Sequence, residues 1–203
     1  MADNIFTSWT NSAGKRIQLA TKELVAGKVH ALKTLLVDSA GNPLNSAGIV
    51  ATATFTPAAA AYLGGDVMDV SKEFAFTFAQ TGVAIPPGSL IRILTAITKI
   101  DLTAVPSGQT GYTLQPYSAA QPSAQADNDP WTLASADLDA YRGAIALGTP
   151  ADLGAALYVK TPKVDLDVKL ASGSSSLFGR LVTDGGFTAT AVGRQVLLYG
   201  IVL

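Results

Sequence analysis

The stretch Val164-Asp165-Leu166-Asp167-Val168-Lys169-Leu170 decides the fold class. Its apolar residues alternate with Asp165, Asp167 and Lys169, the period of two that gives a strand one dry face and one wet face. Outward from it, Ala171-Ser172-Gly173-Ser174 has turn chemistry, Leu177 to Thr183 reads as a second strand, and Asp184-Gly185-Gly186 turns into a third at Phe187 to Thr190. The chain closes on Gln195-Val196-Leu197-Leu198-Tyr199-Gly200-Ile201-Val202-Leu203, apolar on both faces. Chain ends stay frayed and polar unless something ties them down. This last strand is therefore expected inside a sheet covered on both sides, or against another subunit.

Apolar residues make up 48% of the chain and charged residues 14%, which excludes a disordered protein. Ala, Gly, Ser and Thr interrupt the apolar residues, so no run reaches the roughly 18 residues of a membrane span. A chain of 203 residues has room for one β domain with a real core plus an extension. Without cysteine there is no disulfide framework and no thiolate metal site, so stability must come from packing, oligomerisation or both. Met1 to Phe6 lacks the basic-then-apolar order of a secretory signal, and none is expected. The net charge of −1 argues against general nucleic-acid binding. Its distribution is uneven. Residues 1–37 hold Lys15, Arg16, Lys22, Lys28 and Lys33 against Asp3 and Glu23, whereas acids outnumber bases in the remainder. Either this is ordinary solvated surface, or the leader docks on something acidic.

Residues 1–48 differ from the rest. Ile5, Phe6 and Trp9 stand in polar surroundings, and Asn11-Ser12-Ala13-Gly14 is a loop. Val29, Leu32 and Leu36 fit a helical spacing that Gly27 weakens. The segment is expected to be an extended N-terminal arm, with one or two strands that pair with the main sheet or a neighbour. Residues 49–203 are expected to form one antiparallel β-sandwich, jelly-roll-like, from eight to ten short strands at near-regular spacing. Ile49 to Thr56 is a strand stopped by Pro57, and Leu90 to Leu102 is the longest strand signal. In the latter, Ile91, Ile93 and Ile97 are expected on one face, with Leu90, Leu94 and Ala96 on the other. Phe74, Phe76 and Phe78 occur at every second position, so three rings are expected on one side, at the centre of the core. Thr110 to Tyr117, Ala144 to Leu147 and Leu157 to Lys160 complete the strands. Leu133 to Tyr141 is the one helical turn, capped by Thr132 or by the Asp127–Asp129 group. No repeat of 20–50 residues favours a propeller or solenoid.

Candidate chemistry is sparse. His30 is the only histidine and has no nucleophile or metal partner nearby in sequence, and no serine stands in a Gly-x-Ser-x-Gly frame. Asp127-Asn128-Asp129 with Asp137 and Asp139 offers oxygen ligands, but lacks the glycine and distal glutamate of a calcium loop. Asp66 and Asp69 follow Gly64-Gly65 and read as turn residues. Asp165 and Asp167 share a strand face about 7 Å apart, yet Lys169 in the same row marks an ordinary solvated surface. No catalytic residue, metal ligand or cofactor site is therefore assigned.

Three segments carry a resemblance. They are Ala61-Tyr62-Leu63-Gly64-Gly65-Asp66-Val67, the acidic loop Asp127 to Leu138 with its Leu133-Ala134-Ser135-Ala136-Asp137 run, and Leu177-Phe178-Gly179-Arg180-Leu181-Val182-Thr183 with the closing strand. Together, from about Ala61 to Leu203, they resemble small virion proteins of tailed bacteriophages, especially capsid decoration (cement) proteins. The resemblance implies trimers or other oligomers seated on the outside of the major capsid protein lattice. It places the chain on the virion surface, after synthesis in the bacterial host cytoplasm. Ile5, Phe6, Trp9, Lys15 and Arg16 would then reach along neighbouring subunits, and Tyr199, Ile201 and Leu203 would add contacts. The implied partners are the capsid protein and further copies of the chain, with no nucleic acid, membrane or small-molecule substrate. A tail, head–tail adaptor or fibre component is the alternative within that class. A carbohydrate-binding sandwich is the alternative outside it, and predicts an exposed aromatic row from Tyr112, Tyr117 and Trp131.

Overall fold

In the computed structural model, which describes residues 6–10, 16–20, 48–119 and 123–203, regular structure is β apart from one 3₁₀ turn. The chain divides into two units, 1–47 and 48–203. In the first, β1 (Phe6–Thr10) and β2 (Arg16–Ala20) pair antiparallel with one another, from Phe6 opposite Ala20 to Thr10 opposite Arg16. Ile5, Lys15, His30 and the helical spacing at Val29, Leu32 and Leu36 lie outside the described residues.

The second unit carries β3 (Gly48–Phe55), β4 (Ala61–Tyr62), β5 (Val67–Ala75), β6 (Thr77–Phe78), β7 (Leu90–Ile100), β8 (Tyr112–Tyr117) and β9 (Ile145–Gly148). It continues with β10 (Ala151–Asp152), β11 (Leu157–Lys169), β12 (Ser176–Thr183), β13 (Phe187–Thr188) and β14 (Arg194–Val202). A six-stranded sheet runs β10-β11-β7-β14-β3-β6, a four-stranded sheet runs β5-β12-β8-β9, and β13 pairs with β4. Every pairing is antiparallel. The architecture is an all-β sandwich. Alternate residues of each sheet turn inward, so Ile49, Phe55, Ile91, Ile93, Val196 and Leu198 of the larger sheet share one core with Met68, Phe74, Leu114, Leu177 and Leu181 of the smaller. The Phe55 and Phe74 rings stand 6.2 Å apart between them.

The final strand lies in the interior of its sheet, between β7 and β3. Within the sandwich only one of its faces is in the core, and Tyr199 on the other is exposed, so the sheet is not covered on both sides as expected. Other expectations need correction. The phenylalanine ladder does not stay on one strand. Phe74 closes β5 in the smaller sheet, Phe76 is buried where the chain crosses over, and Phe78 is half-buried on β6 in the larger sheet. Sandwich corners are built by strands that switch sheets in this way. The faces of β7 also exchange partway along. Tyr199 is opposite Thr95 but Gly200 is opposite Ile93, so Leu94 is bulged. Ile91, Ile93 and Ala96 consequently point inward, and Ile97 points outward with Leu90. Gly200 makes this bulge feasible, because a side chain there would overlap the Arg92 carbonyl.

Leu157 to Lys160 and Val164 to Lys169 are not two strands but one, β11. It carries an irregularity between Pro162 and Leu166, where Lys163 and Asp165 adopt φ of 58° and 47°. The expected helical turn shrinks to a 3₁₀ turn at Ser135–Asp137 after Ala134, and no side chain caps it. The chain is drawn back to the sheet at once, by Ser118 N–H to the Ala140 carbonyl (2.8 Å) and Arg142 N–H to the Pro116 carbonyl (2.9 Å).

Candidate functional site

The two sheets differ in what lies on their outer faces. Over the smaller sheet, the outward residues Tyr117 and Gln115 of β8 and Arg180 of β12 are roofed by residues 123–141. Arg180, almost wholly buried, donates to the Gln125 side chain (2.5 Å) and to the Ser123 carbonyl. Tyr141 donates from its hydroxyl to Gln115 (2.7 Å), and Trp131 from its indole N–H to the Tyr117 oxygen (3.3 Å). Tyr117 and Tyr141 rings are 5.5 Å apart, Trp131 and Tyr141 rings 6.1 Å. Burial pushes the Tyr117 and Tyr141 phenols up.

Among the described strands of residues 48–203, those of the larger sheet contact one another and the smaller sheet, and none packs over the larger sheet's outer face. The register places its outward residues in rows. Thr54, Gln195, Lys99 and Tyr158 form one, and Thr52, Leu197, Ile97 and Lys160 the next. Val50, Tyr199, Thr95 and Pro162 follow, then Gly48, Ile201, Arg92 and Asp167. The centre is apolar, with Tyr199 37% exposed, Val50, Ile97 and Ile201 half-buried and Leu197 buried. Lysines and arginine rim it on the β7 and β11 side. Arg92 grips Asp167 through Nε (2.5 Å) and Nη2 (2.7 Å), and that hydrogen bonding holds the Asp167 carboxyl below its ordinary range.

Of the contact residues expected from sequence, Tyr199 and Ile201 are brought together on this face. Leu203 follows at its margin, exposed, with its N–H donating to the Leu90 carbonyl (2.9 Å). Phe6, Trp9 and Arg16 fall on β1 and β2 in the other unit, while Ile5 and Lys15 lie outside the described residues. Sequence reasoning missed Val50, Ile97, Leu197, Lys99 and Lys160 as companions of Tyr199. Alternation in each strand held the signal, but no single strand shows which rows align. It also missed the buried Arg194, whose Nη1 donates to the Thr190 carbonyl (2.7 Å) and to the Val192 carbonyl.

The acidic residues act as loop locks. Asp127 accepts from Ala58 N–H, Asp69 N–H and the Tyr62 hydroxyl, all at 2.7 Å. Burial, and then this carboxylate, push the Tyr62 phenol well up. Asp69 accepts from Thr56 N–H (2.7 Å) and pairs with Lys72 (2.9 Å), and Asp66 accepts from Leu63 N–H (2.6 Å). Asp137 accepts from Ser123 N–H (3.0 Å). Among the described residues, no group of three or more His, Cys, Asp or Glu is placed to hold a metal ion. Asp165 sits in the β11 irregularity and Asp167 faces Arg92, so the two do not form a facing carboxylate pair. The aromatic row expected of a sugar-binding face is not presented either, since Tyr112 and Tyr117 are buried.

Compared with protein-family models, curated proteins and solved structures, the chain matches none.

Proposed function

We propose that this chain is a structural protein of a tailed-bacteriophage particle, a capsid decoration protein that binds the outside of the major capsid lattice and stabilises the head. The observation that carries the proposal is the outer face of the larger sheet, apolar at Val50, Ile97, Leu197, Tyr199 and Ile201 and rimmed by Lys99, Lys160 and Arg92. A partly exposed apolar surface with a polar rim is the anatomy of a protein–protein interface. The strand order supports a jelly-roll reading of the sandwich. Its eight principal strands divide as β11-β7-β14-β3 and β5-β12-β8-β9, the arrangement of two interlocked Greek keys. Fold alone does not assign a role, and the virion assignment rests on the resemblance of Ala61 to Leu203.

The N-terminal unit supplies the hold on the shell, through Ile5, Phe6, Trp9, Lys15 and Arg16, and several linked copies multiply a weak single contact. Purified particles carrying the chain test this by quantitative mass spectrometry and imaging. Copies spread over the head in proportion to the lattice are expected. A single ring at the neck or tail would make it an adaptor or tail component, and absence from particles would overturn the proposal. Deleting residues 1–20 should leave a folded body that no longer occupies shells; unchanged occupancy would remove the leader's role.

A further inference from the structure

We infer that the outer face of the six-stranded sheet docks on the loop-covered back of a second copy, so that copies associate face to back. The inference rests on the assembly role proposed above and names the partner of the body's open face. The two sides of the sandwich carry opposite charge. Lys99, Lys160 and Lys169 lie in the outward rows of β7 and β11, where Arg92 and Asp167 pair with one another. On the back, Glu73, Asp127, Asp129, Asp137, Asp139 and Asp184 gather around the smaller sheet and its loops. The basic residues on that side are fewer than the acids. Arg180 is buried, Lys72 pairs with Asp69, and Arg142 donates to the carbonyls of Asp139 and Tyr141 (both 2.9 Å).

The apolar parts match as well. Leu138, 58% exposed between Asp137 and Asp139, projects from the back as an apolar knob flanked by carboxylates. The open face offers the complement, an apolar centre flanked by lysines. Face-to-face pairing would set lysine against lysine, and like charges across an interface are costly. Edge-to-edge pairing along β11, of which β10 covers only Leu157 and Tyr158, is opposed by Pro162, by the irregularity before Leu166 and by Lys160, Lys163 and Lys169. A contact between two different patches of the same chain is heterologous, and closes into a ring when its rotation permits.

Sedimentation velocity of the full chain over a concentration series tests this, with two double variants: Lys99→Glu with Lys160→Glu on the face, and Leu138→Lys with Asp139→Lys on the back. The wild type is expected to associate, less at high salt, and each variant alone to need at least about tenfold more protein. An equimolar mixture of the two variants should associate again, because each supplies the charge the other lost. A back variant that associates like the wild type would overturn the inference, since face-to-face pairing or contacts through residues 1–47 leave Leu138 and Asp139 uninvolved. Wild type that stays monomeric would also overturn it, and so would a mixture that fails to recover. Thermal unfolding of each variant checks folding; Lys160→Gln and Asp139→Asn, each expected to weaken association less, replace any variant that unfolds. Shell binding is read separately. A monomer that still occupies shells ends the face-to-back contact alone, whereas a self-associating chain absent from particles ends the virion role alone.

Discussion

At the scale of single residues, the side chains that hold this body together include ones that look reactive in the sequence. Asp127 joins three segments distant in the chain by accepting from Ala58, Asp69 and Tyr62. A carboxylate with three donors is a strong acceptor, and deleting it strands the donors that are shielded from water. Asp127→Ala should cost about 2–3 kcal/mol of unfolding free energy, read by urea denaturation. Asp139→Ala should stay within about 0.5 kcal/mol, because no described hydrogen bond uses its carboxylate. Equal effects of the two would show that Asp127 is not a lock. Local sequence shows Asp127 and Asp139 alike, as acids in a loop. What separates them is the return of β4 and β5 to the same place, and that is set by the whole sheet.

At the scale of elements, much was legible and its failures share a cause. Short apolar runs between turn residues marked β3, β7, β8, β12 and β14 correctly as strands, although only β3 keeps a clean period of two and β8 and β12 are covered on both faces. Alternation misplaced Ile97 and Ala96 because a single bulge at Leu94 reverses every face beyond it. It split β11 because Pro162 and the positive-φ residues Lys163 and Asp165 interrupt the pattern while β7 pairs on both sides of them. The open face was half legible: Tyr199 and Ile201 stand out in the last strand, but their partners on β3 and β7 follow only from register. One consequence of register is measurable. Arg92 opposite Asp167 should hold that carboxyl below the ordinary aspartate value of 3.8, and Arg92→Ala should return it, as followed by carboxyl NMR titration. A lowered native value means that the pair's contribution is present above the ordinary value and fades as pH falls through the native one. An Asp167 that titrates ordinarily in the wild type would show the pair to be absent in solution.

At the scale of the whole molecule, the body carries an alkaline weakness. Burial is the main reason that the phenols of Tyr62, Tyr112, Tyr117 and Tyr141 are all raised above an ordinary value near 10. The native state therefore keeps protons that the unfolded chain releases. Its advantage is full below that ordinary value and drains away as pH rises through it toward the native ones. Urea unfolding at about pH 7 and about pH 10.5 should show a clear loss at the higher pH, accompanied by phenolate absorbance appearing with unfolding. Unchanged stability, with phenolate rising before the fold is lost, would refute it.

The pairing of β14 with β3 has its own outcome for synthesis. The first strand of the body is hydrogen-bonded to the last, from Gly48 opposite Ile201 to Phe55 opposite Arg194. Until β14 has left the ribosome, β3 and β7 wait with a vacant lane between them. Completion of the larger sheet therefore waits for β14, and contacts this distant in sequence form slowly. A nascent chain arrested before β14 emerges should remain open to protease where the protein carrying β14 resists it.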